Sequence, residues 1–246
     1  MALDIELRKF KDINLEDGII VECLPSVSML GGIVGSHIVS ELDLDQVFAF
    51  ESERFPPISM VFSTKPKFPI RGYASSEHKI VVILSEFIPS PNLSRPLAYK
   101  LLNCYEEFKC SKIISFEGLP VIEEENTDRK LMVFGLGSTD SARKLLEDSK
   151  ISQMDTGMVV GVTAILMNEG RWRNRDVISL MGEIRENISP MRTAVGLLEA
   201  FNKLFPQFNI KTKALLEQAK EIETHFEKLQ TQANPVIREA PMNIYG

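Results

Sequence analysis

Phosphate chemistry needs converging backbone donors, and Gly31, Gly32 and Gly35 fall where such a cradle forms, between an apolar run and a helical period. Their spacing is not the Gly-x-Gly-x-x-Gly of dinucleotide sites, and no Gly-Lys-Ser/Thr occurs. Close packing of a helix on a sheet is therefore the stronger reading of these glycines. Metal chemistry needs clustered ligands, but His37, His78 and His225 are scattered and the cysteines offer no paired spacing. Ser36 and His37 are adjacent in sequence, and neighbours on a helix point in different directions, which disfavours a nucleophile pair. Glu41, Asp43 and Asp45 read as a solvated edge. Glu183 and Glu186 could share a helical face, an arrangement more often structural than catalytic. Arg171-Trp172-Arg173-Asn174-Arg175 could stack on and hold an anion, although a polar loop paired with nearby acids is the commoner outcome. No catalytic, cofactor-binding or metal-binding residue emerges.

The elements that would position these residues alternate. Ile19 to Leu24 is an apolar run between Gly18 and Pro25, as in a buried strand. Leu30, Ile33, Val34, Ile38 and Leu42 follow with the period of a helix. Strands are expected at 47–50, 58–62, 79–84, 112–116, 131–135 and 176–181, with a turn at Phe55-Pro56-Pro57. Helices are expected at 92–109, 141–146, from Ser189-Pro190 to about Phe205, and from about Thr212 to Gln230. Gly157 to Met167 is apolar on both sides and could be a strand and the helix after it, since periodicity cannot decide for such a run. Together these predict an α/β fold, a largely parallel or mixed central sheet with helices on both faces, followed by C-terminal helices. The expected division is a core at 1–206, a helix at 207–232 and a flexible tail at 233–246.

Composition narrows the class. The 246 residues are 44% apolar, with a net charge of −6, which disfavours a broad nucleic-acid surface. No apolar run approaches a membrane span, and Met1 to Glu6 does not open like a secretory signal. Cys23, Cys104 and Cys110, odd in number, fit free thiols in a reducing cytoplasm.

Four segments in order carry a resemblance: Glu22-Cys23-Leu24-Pro25-Ser26-Val27-Ser28-Met29-Leu30-Gly31, Phe55-Pro56-Pro57, the apolar stretch Gly157 to Gly170, and Asn187-Ile188-Ser189-Pro190-Met191-Arg192-Thr193-Ala194. Together the chain resembles the proteasome assembly chaperone 2 family in its archaeal form, from roughly Gly18 to Leu229. The resemblance implies a phosphorylase-like α/β fold with trailing helices, no established catalysis, a homo-oligomer, and a role at the proteasome α-ring. Where the family usually has glycines in the first loop, this chain has Cys23, Ser26 and Ser28.

Two functions compete. One is a proteasome-binding assembly chaperone or ATP-independent activator homologue; the other is a nucleoside phosphorylase- or hydrolase-like enzyme, which such a fold permits. The first is favoured, since no convincing acid, base or anion site stands out. The terminus Ile244-Tyr245-Gly246, a hydrophobic residue, a tyrosine and any residue, matches the motif by which proteasome activators enter pockets between α subunits. Leu215, Ala219, Ile222, Phe226 and Leu229 step by alternating fours and threes, the spacing of a coiled-coil seam or of a helix lying on its own domain.

Overall fold

In the computed structural model the described residues are 5–26, 28–62, 64–121, 131–185 and 188–220. Four parallel strands form the centre: β2 (Ile19–Cys23), β7 (Ile80–Ser85), β8 (Lys112–Pro120) and β10 (Asp176–Ile184). β2 and β7 are largely β-branched apolar runs, as burial on both faces requires, while β8 and β10 hold apolar segments between polar residues. Antiparallel strands extend both sides. β6 (Ile70–Ser75), β3 (Asp45–Glu51) and β1 (Glu6–Lys9) follow β7, and β9 (Val133–Gly137) lies beyond β10. The order is β1-β3-β6-β7-β2-β8-β10-β9, a mixed eight-stranded sheet. A separate hairpin pairs β4 (Met60–Phe62) with β5 (Lys65–Lys67).

Alternation along the strands sends residues to two cores. Ile19, Val21 and Cys23 face α1 (Leu30–Glu41), α3 (Asp140–Asp148) and α5 (Pro190–Leu204). Ile20, Ile83, Ile113 and Val177 face α2 (Pro91–Glu107) and α4 (Gly161–Arg173). The α/β fold with helices on both faces is thus as expected. The Ser189 side chain accepts from the Met191 N–H and Pro190 opens α5, as its sequence predicts. After α5 the chain stays on the first core: Phe201 stacks on Phe208, and Leu215 and Ala219 are buried, the latter two within residues 213–220, which are helical.

Two expectations change. No strand precedes α4, whose first residue, Gly161, has a φ of 72°; residues 157–160 are irregular. The sequence reading also passes over β1 and β6. β1 reads Glu-Leu-Arg-Lys, too polar to register as a strand, and β6 follows Pro66 and Pro69 and contains Arg71 and Gly72. Arg71 is nevertheless buried, since it ion-pairs with Glu86 and donates to the Phe68 carbonyl at 2.7 Å and the Tyr73 hydroxyl at 2.9 Å.

Candidate functional site

Open sheets of this kind place ligands beyond the carboxyl ends of parallel strands. There β2 and β8 each present a carboxyl towards α4. Glu22 is 2% and Glu117 8% exposed, values at which a carboxyl needs hydrogen-bonding partners. Thr163, in the first turn of α4, supplies one: its Oγ1 donates to Glu117 Oε1 at 2.6 Å and lies 3.3 Å from Glu22 Oε2. The Leu24 N–H donates to Glu22 Oε1 at 2.9 Å, and the Ser26 hydroxyl donates to Glu117 Oε2.

Burial pushes the Glu22 carboxyl up to about 8, and the neighbouring Glu117 charge pushes the same way. Burial also raises Glu117, against the two hydroxyl hydrogen bonds that favour its anion. The α4 N-terminus adds a favourable dipole for that anion. The pocket above these groups, walled by Pro25, Ile88, Pro89, Ser94 and Val162, has a volume of about 30 Å³. That is room for two or three waters; small-molecule sites run to about 300–1,000 Å³.

The remaining sequence candidates lie elsewhere. Gly31 and Gly35 of α1 press on β2: a Cβ at Gly35 would meet Cys23 Sγ at 2.7 Å and Leu84 Cδ2 at 2.6 Å. They serve helix–sheet packing. His37 donates from Nε2 to the Lys211 carbonyl at 2.6 Å and so pins the segment after α5, away from any nucleophile role with Ser36. Glu183 is not on a helix but in strand β10, where it pairs with Arg185 at 3.1 Å and accepts from the Met132 N–H. Glu186 and His225 lie outside the described residues, while His78 is exposed. The basic cluster is the last turn of α4 with its left-handed cap Asn174, rather than a loop. Two of its three arginines pair with acids, Arg173 with Glu169 and Arg175 with Glu106 through two nitrogens, and Trp172 is 87% exposed. Cys23, Cys104 and Cys110 are buried free thiols. Among the described residues no group of three or more His, Cys, Asp or Glu is placed to hold a metal. No helix among them is long and apolar enough to cross a membrane.

Of the oligomerisation candidates, Leu215 and Ala219 are buried within the chain itself. Ile222, Phe226 and Leu229, and the docking candidates Ile244, Tyr245 and Gly246, lie outside the described residues. Glu22 and Glu117 were missed by sequence reasoning. Their signal is a carboxylate inside an apolar strand run, Ile-Ile-Val-Glu-Cys and Ile-Ile-Ser-Phe-Glu.

A mixed sheet between two helical layers, with a small acidic pocket at its carboxyl end, defines a three-layer α/β protein. The chain belongs to the PAC2 family, whose sequence profile matches residues 20–230. It is similar to PbaA of Pyrococcus furiosus, described as an archaeal homolog of proteasome-assembly chaperone. The two are 24% identical, with a TM-score of 0.84, over 96% of this chain and 95% of that one. PbaB of the same organism, described as an archaeal proteasome activator, is 22% identical, with a TM-score of 0.76, over 94% and 100% of the two chains. An uncharacterised protein of Methanocaldococcus jannaschii is 26% identical over 222 residues, 89% of this chain and 88% of that protein.

Proposed function

We propose that this chain is a non-enzymatic proteasome-binding protein, an assembly chaperone or ATP-independent activator homologue that docks on the α-ring of the core particle. The observation that carries the reading is membership of the PAC2 family, together with the likeness to a proteasome-assembly chaperone homologue and to a proteasome activator. The docking element is the terminus Ile244-Tyr245-Gly246. Ile244 buries apolar surface, Tyr245 adds a ring with a polar tip, and the terminal carboxylate pairs with a lysine of the receiving pocket. One such peptide binds weakly, because ordering it costs entropy; several on one oligomer raise the effective concentration. Leu215 and Ala219 are taken up by the chain's own core, so the oligomer contact falls to Ile222, Phe226 and Leu229, which continue the same spacing in sequence.

The competing enzyme reading would stand on Glu22 and Glu117, and the pocket volume weighs against it. Co-sedimentation with proteasome core particles tests the proposal. Intact protein should pellet with them, and protein lacking Ile244 to Gly246 should stay in the supernatant with fold and oligomer size unaltered. Undiminished pelleting of the truncated protein would show that the anchor lies elsewhere.

A further inference from the structure

The contacts around Thr163 fix the number of protons in the pocket. A hydroxyl has one hydrogen to donate, yet Thr163 Oγ1 lies within hydrogen-bonding distance of both Glu117 Oε1 and Glu22 Oε2. If both carboxyls were ionised, one contact would set lone pair against lone pair between buried like charges. One added proton completes the network. Glu22 then donates from Oε2 to Thr163 Oγ1, and Thr163 donates to Glu117 Oε1. The Ser26 hydroxyl donates to Glu117 Oε2, and Glu22 Oε1 keeps the Leu24 N–H. The proton sits on Glu22 because two hydroxyls converge on Glu117, whereas Glu22 receives a single backbone N–H. We propose that Glu22, Thr163 and Glu117 share one proton at neutral pH, and that this proton ties the first turn of α4 to β2 as a pH-sensitive switch.

The surroundings leave that proton in control. From β8 the facing ionisable group is Glu117; α4 brings Thr163, and α2 brings Ser94 to the pocket wall. No lysine or arginine lines the pocket among the described residues. When the proton leaves, Thr163 satisfies only one of two facing carboxylates, so the link from α4 to Glu22 is lost while the two charges repel across β2 and β8. The direction follows from Glu22 being raised from 4.5 to about 8 in the folded chain. Its contribution to stability is complete below 4.5 and is lost as pH rises through 8.

Glu22→Gln tests the switch, because the amide keeps the acceptor for Leu24 N–H and supplies a permanent donor to Thr163. In the full-length wild type, the unfolding equilibrium should shift towards the unfolded state by about tenfold per pH unit between the two values, relative to Glu22→Gln. The infrared carbonyl band of a buried neutral carboxylic acid should be present at neutral pH in the wild type, bleach near pH 8, and be missing from Glu22→Gln. Amide exchange in the first turn of α4, corrected for intrinsic base catalysis, should quicken over the same range in the wild type alone. A wild type without that band at neutral pH, or with stability running parallel to Glu22→Gln across the range, would overturn the proposal. Should the variant not fold, the band in the wild type decides.

Discussion

Single residues in this protein are held by how completely their polar atoms are matched. Arg71 shows this outside the pocket. Its guanidinium is buried in β6 with three partners, one of them the half-buried Glu86. Glu86→Ala would leave that charge without its counter-ion, a loss of about 2–3 kcal/mol once the partial exposure of Glu86 is allowed for. Urea denaturation checks this, and a change below about 0.5 kcal/mol would mean that the carbonyl and hydroxyl contacts suffice. Glu22 and Glu117 belong to the same scale, and they explain why the pocket was not legible in the sequence. Glu22 and Thr163 stand 141 residues apart, and only the parallel register of β2 with β8 and the return of α4 over them bring the groups together. A carboxylate in an apolar strand signals a buried partner; it does not say which.

At the scale of elements, the sequence was informative where burial is two-sided or where a cap is explicit. β2 and β7 are apolar runs, β8 and β10 hold apolar segments, and α5 announces itself by Ser189-Pro190. It was mute at β1, whose side chains are nearly all polar, and at β6, whose buried arginine mimics a surface strand. The run from Gly157 is undecided in the sequence because apolar residues without a period fit either state, and the structure makes it helical from Gly161. The α1–β2 contact gives a prediction at this scale. Gly35→Val would drive a branched side chain into Cys23 and Leu84, and overpacking of this kind costs about 1–3 kcal/mol. Thermal unfolding of the variant should show a lowered midpoint. An unchanged midpoint would mean that α1 shifts freely on the sheet. Ser189→Ala should cost about 1 kcal/mol through the lost cap on α5, read by the same measurement.

For the whole molecule, the predictions concern partners. Ile222→Glu with Phe226→Glu should lower the mass measured by light scattering while circular dichroism stays that of the folded protein. An unchanged mass would place the subunit contact away from the seam. Tyr245→Ala should abolish pelleting with core particles, since the ring and its hydroxyl are the most specific part of the terminus. Nucleotides should not bind at Gly31–Gly35. Saturable ATP or NAD binding that is lost in Gly31→Val would reverse that reading of the turn.

The strand order also dictates when the molecule can come into being. The half formed by β1, β3, β6 and β7 is antiparallel, with β6 and β7 adjoining in the chain, so it can pair soon after synthesis. β2 is flanked by β7 and β8, and β8 by β2 and β10. The centre of the sheet therefore cannot close until Ile184 has left the ribosome, and closing it bridges long stretches of chain, which slows folding. Until β8 is made the edge of β2 stands open to whatever meets it first, and until β10 is made the far edge of β8 does. A protein proposed to serve the assembly of others thus depends, during its own synthesis, on protection for its central strand.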